Sequence, residues 1–257
     1  MVKLRNSCPG LTLFVLSLTL LLLGSCHRKF AVSKIEGFQI TITNALQEDK
    51  QIDLFISPYR NHVESEMNTV LAYSPQNLDR AQGKWQSALG NLMADVCLDA
   101  ASDIIMKRYG VRADMCLLNY GGIRSVIPKG DVTVRTAYEL MPFENMLVVA
   151  KLKGAQVAQM VTFLLAEKKA HPLSGLSLSL TGSTATDIKI NGRPLNHADT
   201  YLVVTSDYLL NGGDNMLFFG QASEVYETDY KIRNALIDYF KKVDTLDIRN
   251  DTRISVK

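Results

Sequence analysis

The chain has 257 residues, with 28 Lys and Arg against 26 Asp and Glu, and 47% of it is hydrophobic. That length builds one large domain with a full core, or two small ones. A formal net charge of +2 excludes a nucleic-acid binder held by phosphate contacts alone, and with four His and four Cys a metal centre rich in those ligands would use most of the supply.

Residues 1–25 read as an address. Lys3 and Arg5 precede an apolar run at 11–23 that is broken only by Thr and Ser. A membrane-spanning helix needs about 20 apolar residues, so this shorter run predicts the apolar region of a signal peptide. It ends in Leu23-Gly24-Ser25-Cys26, which resembles a bacterial lipobox. Cleavage before Cys26 and lipidation of that cysteine are expected, placing the protein outside the cytoplasm on a bacterial membrane surface. Removal of Lys3 and Arg5 leaves the remainder formally neutral. Residues 26–35 then form the lipidated start and a short basic tether, and 36–257 a single domain. Cys97 and Cys116 are the remaining thiols; a disulfide and two buried free cysteines fit the spacing equally well.

Along the domain, the alternation at 38–42 predicts a strand. Ser57-Pro58 reads as an N-cap followed by Pro at the first helical position, opening a helix to about Met67. Residues 70–73 form a short buried strand. The clearest helix follows, with Leu89, Leu92, Met93, Val96, Cys97, Ala100, Ala101, Ile104 and Ile105 on one stripe and Gly110 as its stop. A buried strand at 114–118 exits into Asn119-Tyr120-Gly121-Gly122-Ile123-Arg124, where paired glycines permit a sharp turn or close backbone approach. A short helix at 136–140, a strand at 146–152 and an amphipathic helix at 154–167 come next. Strands follow at 176–180, 187–191 and 201–206, then a second glycine loop at Asn211-Gly212-Gly213-Asp214. Thr228 reads as the cap of a last helix to about Lys242, and 253–256 as a closing strand. Strands alternating with helices give an α/β domain with mixed sheets.

Taken in order, Asn119 to Arg124, Gly130-Asp131-Val132-Thr133, Pro142-Phe143-Glu144-Asn145, Gly154 and Tyr208 to Asp214 resemble the C-terminal, substrate-recognition domain of the 5′-nucleotidase family. Leu89-Gly90-Asn91-Leu92 fits that domain's first helix. Each motif is weak alone, but the shared order and spacing are specific, and the likeness runs from about residue 36 to the end. The resemblance implies a single domain of two packed mixed β-sheets with outer helices, in four layers (α/β/β/α), binding a nucleotide between two aromatic rings. Phe143 and Tyr208 match the rings that stack on the base, which suits aromatic side chains because every base has a π-face. Asp214 matches a carboxylate that accepts from ribose hydroxyls, Arg124 a cation near ribose and phosphate, and Asn119 an amide facing base or sugar. Asn211 belongs to the same binding loop, and Gly121, Gly122, Gly212 and Gly213 keep side chains out of the way. Singly, Phe143 also reads as a core aromatic, Asn119 and Asp214 as turn residues, and Arg124 as a solvated charge. The sequence departs from the family pattern at Tyr120, where glycine is usual, at Lys84 and Trp85, where arginine is usual, and at Tyr208, which replaces Phe.

Full-length members carry an N-terminal metallophosphatase domain whose two metals, held by His, Asp and Asn, activate water. Nothing here resembles its motifs: His27, His62, His171 and His197 are scattered, none follows an Asp-x pattern, and no such domain fits between Cys26 and residue 36. The chain is therefore expected to hold no metal or cofactor and not to be catalytic alone, with a separate metallophosphatase chain supplying divalent metals and hydrolysis. The alternative is a non-catalytic, membrane-anchored module that binds a nucleotide or nucleoside.

Overall fold

A computed structural model of the chain describes residues 9–23, 32–43, 46–249 and 251–256, which fall into two units, 1–53 and 54–257. In the first, the apolar run is a helix, α1 (Pro9–Leu23). Among the described residues no helix is long and apolar enough to cross a membrane. Residues 24–31, which include the expected cleavage site, Cys26 and most of the tether, lie outside the described residues. Residues 38–42 are exposed and form no strand, contrary to the reading of their alternation. Alternation supplies an apolar face, but a strand also needs a neighbour for its backbone N–H and C=O groups.

The helix expected from Ser57 begins earlier, as α2 (Lys50–Met67), with Pro58 inside it. The Asp49 carboxylate accepts the N–H groups of Gln51 and Ile52 at 2.9 and 3.3 Å, so Asp49 rather than Ser57 starts the helix. Pro58 then forfeits one internal hydrogen bond.

The second unit continues with β1 (Val70–Ser74), α3 (Ala88–Tyr109), β2 (Met115–Leu117), β3 (Gly130–Thr133), α4 (Val134–Leu140), β4 (Met146–Lys153) and α5 (Gly154–Glu167). After these come β5 (Leu173–Ser174), β6 (Leu176–Thr181), β7 (Thr184–Ile190), β8 (Arg193–Pro194), β9 (Thr200–Ser206) and α6 (Asp207–Leu210). The chain closes with β10 (Glu224–Lys231), α7 (Ile232–Lys242) and β11 (Ile254–Val256). Gly110 ends α3 at φ 72°, as the sequence predicts, and Ser87, which the sequence reading did not name, caps its start through its side chain. Thr228, read as a helix cap, lies instead in β10, where its hydroxyl donates to the Leu147 carbonyl at 2.5 Å. Pairing with β4 carries that strand to Lys231 before α7 begins.

Five strands form a sheet in the order β10-β4-β9-β2-β5, and four more a sheet in the order β11-β6-β7-β8. Each is mixed: β2 runs parallel to β9 and β11 parallel to β6, while their other pairings are antiparallel. Because side chains alternate along a strand, the five-stranded sheet has two apolar faces. Cys116, Leu147, Val149 and Val204 pack with α3, α4 and α7. Met115, Leu117, Ala150, Leu152 and Val203 pack with α5 and with Leu176, Leu178 and Ile190 of the four-stranded sheet. The expected architecture of packed mixed sheets with outer helices is present. Cys97 and Cys116 are free buried thiols rather than a disulfide, and burial pushes the Cys97 thiol up to about 12 and that of Cys116 well above its ordinary range.

The strand directions decide where the loops go. β2 and β9 are parallel neighbours, so both leave the sheet at the same end. β4 runs antiparallel with Leu147 opposite Ser206, so the residues entering β4 lie at that end too. β10 ends there with Lys231 opposite Met146, and the residues entering β5 arrive beside the exit of β2.

Candidate functional site

At this shared end the exit of β2 forms a tight turn, Tyr120–Gly122. The Asn119 side-chain amide donates to Asp214 Oδ2 at 2.7 Å, across 95 positions of sequence. The Tyr208 hydroxyl donates to Asp214 Oδ1 at 2.8 Å, and the Asp214 N–H returns to the Tyr208 oxygen at 3.3 Å. Asp214 is thus the hub between the loop after β2 and the loop after β9. It reaches that position at φ 49°, in the left-handed region that a short polar side chain tolerates better than most. The bond to Asp214 raises the Tyr208 hydroxyl above its ordinary 10.0, keeping it a donor at neutral pH.

Two glycines are required by contact. A Cβ on Gly213 would lie 2.4 Å from the Tyr208 ring, and one on Gly122 would lie 2.8 Å from Asn119 Oδ1. At Gly121 the nearest atoms, on Asn119 and Asp214, would be 3.5 Å away, an ordinary contact. Asn211 turns its amide back to the Asp207 carbonyl at 2.8 Å, closing the end of α6.

Phe143 sits on the turn entering β4. The Arg124 guanidinium lies over its ring, 5.8 Å from the centroid, within the range of a cation–π contact. Arg124 also donates to the Gly121 carbonyl at 3.3 Å. Beneath the turn, buried Arg233 donates to the carbonyls of Met141 and Phe143 at 3.2 and 3.4 Å, pairs with Glu144 and stacks on Tyr138 at 4.2 Å. Lys231 pairs with Glu144 as well. Hydrogen bonds from Lys231 and then Arg233 hold the Glu144 carboxyl down to about 2, so this grip persists through the whole neutral range. Asp207 joins the two sides, its Oδ1 accepting the N–H groups of Met146 and Tyr208 at 3.1 and 2.8 Å.

The structure therefore brings Asn119, Tyr208 and Asp214 into direct contact and links Gly121, Arg124 and Phe143 to them by consecutive contacts. Phe143 and Tyr208 are 40% and 45% exposed, so neither ring is a core residue. A cleft of about 470 Å³ opens beside Tyr208, walled by Asn145, Asp207, Asn211, Gly212 and Gly213. Phe143 is not one of its walls and lies by Arg124 instead. Three supporting residues escape sequence reasoning: Arg233, His171, whose Nδ1 accepts the Tyr120 N–H at 3.1 Å, and Arg80, whose guanidinium stacks on Tyr120 at 4.6 Å. Only the unusual Tyr120, which stands where a glycine was expected, hints at the last of these.

A second cleft of about 400 Å³, between α3 and α7, has Asp95, Asp99, Asp103, Asp238 and Asp247 on its walls together with Lys242 and Arg249. Burial and then the Asp95 charge raise the Asp99 carboxyl, the sign of crowded negative charge. Among the described residues no group of three or more His, Cys, Asp or Glu is arranged to hold a metal ion.

A family model described as 5′-nucleotidase, C-terminal domain, matches residues 66–221. The chain is 26% identical over 255 residues to a 5′-nucleotidase-related protein of Glossina morsitans morsitans, covering 89% of this chain and 45% of that protein. It is 25% identical over 214 residues to Protein UshA of Escherichia coli (strain K12), covering 82% of this chain and 38% of that protein. Its structure is similar to that of a 5′-nucleotidase precursor from Thermus thermophilus, with a TM-score of 0.67 and 29% identity over 82% of this chain and 44% of that one. It spans less than half the length of each of these three.

The glycine contacts separate two substitutions. Gly213→Ala drives the Tyr208 ring away from Asp214, so the Tyr208 hydroxyl titrates back toward its ordinary value. Gly121→Ala leaves it raised. Titration of tyrosine ring carbons by NMR reads both outcomes.

Proposed function

The chain belongs to the family of 5′-nucleotidase C-terminal domains, and from that premise we propose that its second unit recognises a nucleotide or nucleoside at the shared end of β2, β4 and β9. The observation that carries this reading is the hydrogen-bonded hub at Asp214, which gathers Asn119 and Tyr208 beside the exposed Phe143 and Arg124. The base stacks between Phe143 and Tyr208, a contact worth about 1–3 kcal/mol per base. An ionised carboxylate has about four lone-pair sites. With one donor on each oxygen, Asp214 keeps acceptor capacity for ribose hydroxyls. Arg124 stays charged at every relevant pH and presents a donor fork to phosphate or sugar oxygens.

Hydrolysis belongs, in this reading, to a separate metallophosphatase chain that docks on the recognition domain. Its metals would supply activated water and charge stabilisation at the phosphate; no step of that chemistry uses residues of this chain. What favours the division of labour is that the family likeness is to the C-terminal domain, over residues 66–221. The apolar run of α1 followed by Leu23-Gly24-Ser25-Cys26 further supports a signal peptide and a lipid on Cys26, holding the protein outside the cytoplasm at a membrane surface.

Phe143→Ala and Tyr208→Ala should each weaken adenosine 5′-monophosphate binding by about 10- to 100-fold in calorimetry, with the melting temperature little changed because both rings are exposed. Unaltered affinity in both variants contradicts the stacking site. Mixing the protein with a secreted metallophosphatase from the same cell should raise nucleotide hydrolysis above that of the phosphatase alone; no increase would favour a binding module without catalysis. Cys26→Ser should shift the protein from the membrane fraction to the soluble one, and an unchanged distribution argues against the anchor.

A further inference from the structure

β5 pairs antiparallel with β2, setting Cys116 opposite Ser174 and Leu117 opposite Leu173. The Leu118 N–H continues the ladder to the Pro172 carbonyl at 3.0 Å. One step further a side chain replaces the backbone: the Tyr120 N–H donates to His171 Nδ1 at 3.1 Å. His171 is 5% exposed, and its Nε2 is buried without a partner. A ring nitrogen that accepts a backbone N–H must carry its lone pair, so this imidazole is neutral with its proton on Nε2. On the following peptide, Arg80 Nη1 donates to the Tyr120 carbonyl at 3.1 Å and also to the carbonyl of Ile123. Arg80 cannot lose its proton in a protein, whereas imidazole gains one near neutrality.

We propose that His171 is the positioning residue of the candidate site and an acid-sensitive latch on it. Neutral, it fixes the Tyr120 peptide and thereby aims the neighbouring Asn119 at Asp214. Protonated, it presents N–H to N–H and the loop is released. The latch acts on the nucleotide site proposed above and so rests on that reading for its ligand, though not for its geometry.

The groups around the ring agree with a latch closed at neutral pH. Burial draws His171 below its ordinary 6.5; the Leu118 carbonyl and the carboxylates of Glu167 and Asp214 work the other way, and Lys169 assists burial. Lys169 is itself paired with Glu167 at 2.5 Å, and the Phe163 ring, 5.9 Å away, covers the imidazole. With the folded value lowered, the unfolded or released loop takes the proton first. Order is therefore complete above about 6.5 and declines as the pH falls below it.

The test uses the full chain without ligand, then with adenosine 5′-monophosphate as the probe. Hydrogen exchange at the Tyr120 amide, corrected for intrinsic rate, should lose about tenfold protection between about pH 7.5 and about pH 5.5, in step with the His171 titration. His171→Asn places an amide oxygen where Nδ1 lay and should keep protection at both pH values. His171→Leu has no acceptor and should be unprotected at both. Probe affinity should follow the same pattern, falling about tenfold on acidification in the natural protein and holding in His171→Asn. Protection that ignores the His171 titration, or that survives in His171→Leu, overturns the latch. Protection that tracks the titration while the probe binds nowhere supports the latch and removes the nucleotide reading instead.

Discussion

The parallel pairing of β2 with β9 governs everything that follows in this protein. Met115 lies opposite Val203 and Cys116 opposite Val204 in that register. Parallel neighbours send their following loops out of the same end, so Asn119 and Asp214 meet without any bend in either strand. Had β2 run antiparallel to β9, the two glycine loops would leave from opposite ends of the sheet. Ligands of open α/β sheets gather outside the carboxyl ends of parallel strands for the same reason; the antiparallel neighbours β4 and β5 bring their entering residues to that end, and β10, antiparallel to β4, finishes there too.

Around that topology the loops are fixed mostly by charged and polar groups. Asp214 receives one donor from the distant Asn119 and one from the nearby Tyr208, while Arg233 supports the turn of Phe143 from below and has its charge met by Glu144. A buried guanidinium holding backbone carbonyls is costly unless its hydrogen bonds are filled. Here Nη1 and Nη2 are bonded while the buried Nε is left without a partner, and the bonds that form set the position of an exposed aromatic. His171 and Arg80 hold the two consecutive peptides that flank the Tyr120 Cα. The site is thus held from behind, which leaves the Phe143 and Tyr208 rings free to meet a ligand.

Much of this was legible in the sequence and some was not, for physical reasons. The stripe of α3 and its stop at Gly110 were plain because periodicity and a left-handed glycine are local signals. The two glycine loops were plain because motif order fixed them. β3, β5, β8 and β10 were missed, the last because Thr228 offers an ordinary capping side chain and only pairing with β4 makes it a strand residue. Residues 38–42 misled in the opposite direction, showing alternation without strand pairing. The supports of the site were the least readable part. Arg233 acts across about 90 positions, and His171 acts across 51, so no spacing rule could connect them to Phe143 or Tyr120. Their residue types fit many bland surface or core roles until the sheet order is known.

The most direct measurement is a crystal structure of the protein with adenosine 5′-monophosphate bound. Difference density for the purine between Phe143 and Tyr208, with the ribose hydroxyls on Asp214, is the expected result. A nucleotide seated elsewhere with both rings bare to solvent, in the cleft between α3 and α7 for instance, would contradict it.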